Sequence, residues 1–479
     1  MTSAPTATRE AAWEAVIGLE VHCELATATK LFCGCPNVFG DEPNTNVCPV
    51  CLGLPGSLPV FNRAALELAM RIGLALGAEV RDSVFARKNY FYPDMPKDYQ
   101  VSQYDRPVNV GGVLKLPDGT SIGVTRAHLE EDTGKSTHVG TSGRIHGADY
   151  ALIDYNRAGV PLVEIVSEPD IRSADAAKAY INELRAILVA VGASDARMEE
   201  GSLRVDANVS VRPGPDAPFG TRAEVKNLNS VRSLGRAIEF EIARQIALLG
   251  SGGRVIQETR HWDDGGGRTS SMRSKEEAED YRYFSEPDLV PIAPDASWVT
   301  AVAEALPVLP AQRRAALADK VGLAADNQVI VTLVGQDLDA LVCAATDAGA
   351  DPLLAANRAA NELATATRAV AVGDFVRLLA METSGALTAT QAKAVLTAMG
   401  TSGGDPAAIA SDRGFEALPG DALSAAVTSA LAAHPGEWER YRKGEAKLGG
   451  FFVGKVMAAT GGKADGKAVT ALLAEHAAR

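Results

Sequence analysis

The chain has 479 residues, enough for two to four domains with cores of their own. A net charge of −13 argues against a surface coated to bind nucleic acid without specificity, though not against a local basic patch. No apolar run is long enough to span a bilayer and Met1–Glu10 lacks the apolar core of a secretory signal, so no membrane partner is expected.

Residues 1–14 read as a disordered tail. Val16–Leu25 then alternates as a strand: Leu19, Val21, Cys23 and Leu25 share one face, and Glu20, His22 and Glu24 the other. A Glu-x-His pair on one strand face can reach a single cation; a solvated polar face is the plain alternative. Next come Cys33-x-Cys35 and Cys48-x-x-Cys51, with twelve residues between the pairs. Such spacing suits a closed tetrahedral thiolate site for structural zinc; two disulfides, or four unrelated buried thiols, are the alternative. Together with the isolated Cys23 and Cys343, these hooks suggest a reducing, cytoplasmic setting.

A helix is predicted over Asn62–Gly77 behind an Asn N-cap. The aromatic and basic stretch Arg87–Gln100 reads as a loop that either stacks bases and holds phosphate or packs against the cysteine lobe. Glu130-Glu131-Asp132 falls at a strand end. Thr133–Thr137 is no Walker-A loop, because position 129 is Leu rather than Gly and three acids precede it. Pro161–Val166 carries Glu164 among apolar residues, where a lone acid is costly unless paired or bound to metal. Helix Ser173–Val191 follows. In strand Ser202–Arg212, Arg204, Asp206, Asn208 and Ser210 share a face, and in Thr221–Asn227 so do Arg222, Glu224 and Lys226. Helix Ser230–Leu249 ends at a glycine-rich stop. Several strands with one acidic face suggest a shared groove. Carboxylates with few histidines favour Mg²⁺, and hence phosphate chemistry.

Past a proline cluster near Pro294 the chain turns Ala- and Leu-rich. Val308–Met399 reads as all helical, Gly400–Pro406 as a linker, and the rest as a last helical unit. From Gly436 to Arg479 there are eight basic and five acidic residues, so the charge reverses. The expected fold is α+β: a cradle domain (15–294) with a mostly antiparallel sheet and a four-cysteine zinc loop, an all-helical domain (295–405), and a small helical tail domain (406–479).

Taken in order, the motifs Val16–His22, Arg87–Asp94, His128–Ser136, Val163–Asp170, Met198–Arg204, Glu224–Ser230 and Asp280–Asp288 closely resemble the GatB family, the B subunits of the aspartyl/glutamyl-tRNA amidotransferase. The likeness is dense to Pro294 and clear again at Gly449–Lys455. It implies an enzyme that spends ATP, with Mg²⁺, to phosphorylate the side-chain carboxylate of misacylated Glu-tRNA(Gln) or Asp-tRNA(Asn). Ammonia from a glutaminase partner, the amidase or A subunit, then displaces phosphate. The heterotrimer is completed by a small C subunit. The resemblance assigns Glu20, His22, Glu131 and Glu164 to Mg²⁺. It assigns Lys88, Glu130, Asp206, Glu224 and Lys226 to phosphoryl transfer, Cys33, Cys35, Cys48 and Cys51 to zinc, and the tail, with Lys443, Lys447 and Lys455, to tRNA. Two other readings compete. A tRNA-binding structural subunit would not need the acidic strand faces. A self-contained glutamine amidotransferase would need Cys23, whose strand neighbour His22 points to the opposite face.

Overall fold

The computed structural model describes residues 13–140, 148–274, 281–415, 420–461, 463–464 and 466–478. The expected disordered tail lies outside these residues apart from Trp13 and Glu14, as do Asp465, Arg479 and the Lys467 side chain of the basic segment. The chain divides into two compact units, Met1–Ala311 and Gln312–Arg479.

In the first unit, strand Glu14–Glu24 lies at the middle of a sheet of thirteen strands among the described residues. On one side it pairs antiparallel with Pro161–Ser167, which pairs with Ser121–Glu131, followed outward by Tyr99–Ser102, Ala86–Asn89 and Phe284–Ser285. On the other side it pairs with Leu203–Arg212, then come Ala223–Lys226, Glu258–Asp263 and Arg268–Ser274. The Ala223–Lys226 and Glu258–Asp263 pair is parallel, and the remaining pairs are antiparallel.

Alternation decides what each face becomes. Leu19, Val21, Cys23, Val163, Ile165, Leu129 and Val205 point into one core, which helices Arg63–Ala75, Ala174–Ala190 and Val231–Gly250 cover with Met70, Tyr180, Leu184, Leu234 and Ile238. Each such aliphatic side chain gains about 1.5–3 kcal/mol by burial. A slip of one residue would carry all of a strand's apolar residues to the wrong face, so the core fixes the register of the polar face as well. The three helices start where expected. Asn62 Oδ1 accepts from Ala64 N at 3.0 Å, Ser173 Oγ from Ala176 N at 3.1 Å, and Ser230 Oγ from Ser233 N at 3.0 Å.

The second unit is helical among its described residues and holds two apolar clusters. One joins Leu317, Ile330, Leu333, Val342, Phe375, Leu378, Leu396 and Ala410; the other joins Leu423, Val427, Leu431, Phe452, Val456, Val469 and Leu473. The expected linker at Gly400–Pro406 is corrected here. Helix Ala389–Ser402 runs through Gly400, whose carbonyl accepts from the N–H groups of Thr367 and Arg368 at 3.0 Å. A Cβ on Gly400 would stand 2.9 Å from the Ala366 Cβ. The glycine is therefore a close-packing residue, and Gly403, at φ +73°, ends the helix. Among the described residues no single helix is long and apolar enough to cross a membrane. The bent pair Gln328–Gly335 and Asp339–Asp347 passes by length and composition, but Ile330, Leu333, Val334 and Val342 are buried in the first of these clusters.

Candidate active site

Opposite the helices, the sheet carries charge in rows set by strand register. One row reads Arg204, His22, Glu164, His128 across four strands, and the next reads Lys226, Asp206, Glu20. His22, Glu130 and Glu164 converge so that one ligand atom from each lies within 4.8 Å of the others. His22 Nε2 is 3.4 Å from Glu164 Oε2 and 3.6 Å from Glu130 Oε1. Arg126 Nη2 reaches Glu164 Oε1 at 3.3 Å.

The electrostatics show groups held for a positive charge. Burial and the nearby Glu164 raise the Glu130 carboxyl to about 7. Burial works against the His22 imidazolium, but the hydrogen bond and charge of Glu164, with Glu130, outweigh it and lift His22 to about 9. Burial also opposes the Glu164 carboxylate, yet His128, His22 and Arg126 hold it well below the usual range; burial in turn drives His128 down to about 4, so at neutral pH the charges that hold Glu164 are those of His22 and Arg126. Glu20 is pushed up by burial and by Glu164. A proton on His22 is the positive charge at the centre. One imidazole and two carboxylates form a donor set suited to a hard or borderline divalent cation, so these residues fit Mg²⁺ or Mn²⁺.

Beside the cluster, Lys226 Nζ bridges Asp206 Oδ2 at 2.6 Å and Glu224 Oε1 at 3.3 Å, and Thr259 Oγ1 donates to Glu224 Oε2 at 2.9 Å. Burial opposes the Lys226 ammonium, but Asp206 and Glu224 raise its pKa. Lys88 Nζ sits 4.7 Å over the Tyr281 ring, close enough for its charge to act on Glu130 and His128. The expected loop Arg87–Gln100 is corrected: Arg87–Asn89 and Tyr99–Gln100 lie in two paired strands, and only residues 90–98 form the loop between them. The stretch is held by the chain near Phe284–Ser285: Arg87 makes two 2.7 Å bonds to Glu286, and Asn89 Nδ2 donates to the Tyr281 carbonyl at 2.8 Å. Phe91 remains 64% exposed, so the loop is partly packed and partly open.

Glu20, His22, Glu130, Glu164, Asp206, Glu224, Lys226 and Lys88 thus gather on or beside one face. Glu131, expected among the cation ligands, does not join them. It follows Glu130 on the same strand and so faces the other way, where its Oε1 takes Lys97 Nζ at 2.5 Å and the Val101 N–H at 2.9 Å. Glu130 takes the position expected of Glu131. Sequence reasoning missed Arg126 and His128. Both lie on the Glu130 face, and counting back in twos from Glu130 would have found them.

The four cysteines meet as expected, as free thiols with their sulfur atoms within 4.8 Å of one another. Cys48 N–H donates to Cys51 Sγ at 3.1 Å, and Gly53, at φ +64°, leaves room for Lys97. A hydrogen bond from Cys33 pulls the Cys51 thiol down to about 5. The hydrogen bonds to Cys51 favour its thiolate, the form that ligates zinc. Cys23 lies in the core, and burial raises its thiol to about 12, so it is no nucleophile. Thr133–Gly134 leads into strand Lys135–Gly140 rather than a helix, against a phosphate loop.

In the tail, Lys443, Lys447 and Lys455 are exposed. Lys443 lies 3.9 Å from Glu439, and Lys455 Nζ is 5.3 Å from the Phe451 ring centroid. Trp438 and Tyr441 stack on each other at 5.4 Å and pack on Phe452, so they support the tail's own core.

An α+β cradle with a four-cysteine loop and a carboxylate–imidazole cluster on its polar face defines the class of protein. Comparison with known proteins defines the family. The GatB/GatE catalytic domain model matches residues 15–300, and the GatB domain model matches 344–476. The chain is 52% identical to the B subunit of the aspartyl/glutamyl-tRNA(Asn/Gln) amidotransferase of Frankia casuarinae, over 97% of this chain and 96% of that protein. It is 50% identical to the protein of the same name from Moorella thermoacetica (97% and 99%) and 46% identical to that from Streptomyces coelicolor (97% and 96%). The chain belongs to the GatB family, the B subunits of the aspartyl/glutamyl-tRNA(Asn/Gln) amidotransferase.

Proposed function

We propose that this chain is the ATP-using subunit of a tRNA-dependent amidotransferase, a carbon–nitrogen ligase with glutamine as amide donor. Its substrates would be tRNA misacylated with Glu, Asp or both. The observation that carries this is the His22, Glu130 and Glu164 cluster on a charged sheet face. A carboxylate is a poor electrophile because it would have to expel oxide. The side-chain carboxylate oxygen of the aminoacyl group attacks the γ-phosphorus of ATP, ADP leaves, and ammonia then displaces phosphate from the acyl carbon. A divalent cation held by His22, Glu130 and Glu164, with Glu20 beside them, would offset the repulsion between the two anions. Lys226, held by Asp206 and Glu224, and Lys88 supply fixed positive charge next to it.

The relatives are named as subunits, which supports a multi-subunit enzyme acting on tRNA. The partners proposed are a glutaminase, the A subunit, together with a small C subunit, in the cytoplasm. Zinc on the four cysteines is structural, since a four-thiolate site leaves no open position. The tail lysines are proposed to meet the tRNA backbone. A purely structural tRNA-binding subunit gives no reason to crowd buried carboxylates around His22. The test is to supply the assembled complex with misacylated tRNA, ATP and glutamine. Amidated tRNA and stoichiometric ADP support the proposal, and amidation without ATP would reject it.

A further inference from the structure

His128 lies directly across from Glu164 in the strand register, and His22 lies directly across from it on the other side. Both imidazoles address the same carboxylate oxygen, His22 Nε2 at 3.4 Å and His128 Nε2 at 4.0 Å from Glu164 Oε2. His128 is 1% exposed, and neither of its ring nitrogens has a hydrogen-bond partner among the described residues. A buried imidazole with two orphaned nitrogens costs stability unless it serves a partner present in another state of the protein. A nitrogen that ligates a cation has no proton to offer, so His22 cannot both hold the ion and donate to Glu164. His128 is then the imidazole left facing that oxygen. Arg126 already fixes the other oxygen, at 3.3 Å.

We infer that His128 is a positioning residue of the cation cluster, its ring N–H serving Glu164 so that this carboxylate presents one fixed oxygen to the ion. The inference rests on reading His22, Glu130 and Glu164 as cation ligands. Carboxylate ligands are commonly held by such a supporting donor, whose loss weakens metal binding about 10–100-fold.

The test is Mn²⁺ binding to the full chain in its complex without nucleotide, followed by electron paramagnetic resonance. The wild type should bind Mn²⁺ with one directly coordinated imidazole, and His22→Ala should lose the ion. His128→Leu should bind at least about tenfold more weakly. Its metal-free thermal midpoint should not fall, because two orphaned polar atoms have been removed. His128→Gln, which keeps a donor of similar reach, should recover most of the affinity. If His128→Leu does not fold, His128→Asn is too short to reach Glu164 and carries the same expectation of weakened binding. Affinity within twofold of wild type in His128→Leu, or in the Asn variant in its place, while His22→Ala loses the ion overturns the inference alone. A second directly coordinated imidazole also overturns it, since His128 would then be a ligand. A wild type that binds no Mn²⁺ overturns the cluster reading, and this inference with it.

Discussion

Adjacent acids on one strand meet opposite fates here. Glu130 turns to His22 and the proposed cation site, while Glu131 turns to Lys97. Glu130-Glu131-Asp132 has no alternation of its own, but Ala127 and Leu129 just before it mark the core face and so put Glu130, with Arg126 and His128, on the polar one. The parity is fixed by the pairing of Ser121–Glu131 with Pro161–Ser167, a contact between segments about 40 residues apart in the chain. Glu20 and His22 were legible in the same way, because Leu19, Val21 and Cys23 around them mark the core face. His22 yields a prediction with a definite sign. Its pKa of about 9 in the metal-free protein means that it carries a proton at pH 7.5. Only neutral imidazole ligates, so cation binding should release about one proton at pH 7.5 and tighten as pH rises toward 9. Titrating Mg²⁺ calorimetrically in buffers of different ionisation enthalpy measures this. Zero proton release would remove His22 from the ligand set.

Among the elements, the helix N-caps and the strand alternation were readable, and the close approach of one helix to its neighbours was not. Gly400 looked like part of a flexible run because three more residues of that run are Gly or Ser; only the packing against Ala366 shows its use. Gly400→Ala should cost about 1–3 kcal/mol, as overpacking does. A denaturant midpoint unchanged by the substitution would restore the linker reading. On the helix side of the sheet, Glu241 is fully buried and binds Arg244, at 2.5 Å, and Arg260, at 3.4 Å. Glu241→Ala removes the acceptor of Arg244, Gln245 and Thr269 while Arg260 keeps Glu258, and should destabilise the cradle by about 1–3 kcal/mol. Equilibrium unfolding monitored in that domain checks the value. The cysteine loop should hold one zinc per chain. Cys48→Ser should release it, and amide exchange should rise first around the loop. Anaerobically purified protein with no zinc by elemental analysis would reject the site.

For the molecule as a whole, the charge read from the sequence falls in two places: acids paired with basic residues on the polar face of the cradle sheet, and exposed lysines in the tail. The tail's aromatic residues, however, belong to its own core. Deleting Gly436 to Arg479 would remove Phe452, Val456, Val469 and Leu473 from that cluster, so charge substitution is the cleaner probe. Changing Lys443, Lys447 and Lys455 together to Ala should weaken tRNA binding. It should also make the salt dependence shallower, by about 1 unit of slope for each phosphate no longer neutralised. An unchanged slope would make this a solvated helix face.

Phosphoryl transfer is proposed to take place on the polar face of the sheet. Its most direct test is ADP formation with misacylated tRNA, with ammonia replacing glutamine, in assembled complexes carrying His22→Ala or Glu130→Gln. With folding and tRNA affinity verified, both variants should lose ADP formation by about 10²-fold or more, because this chemistry depends on placed charge. Wild-type rates of ADP formation in both would contradict the account.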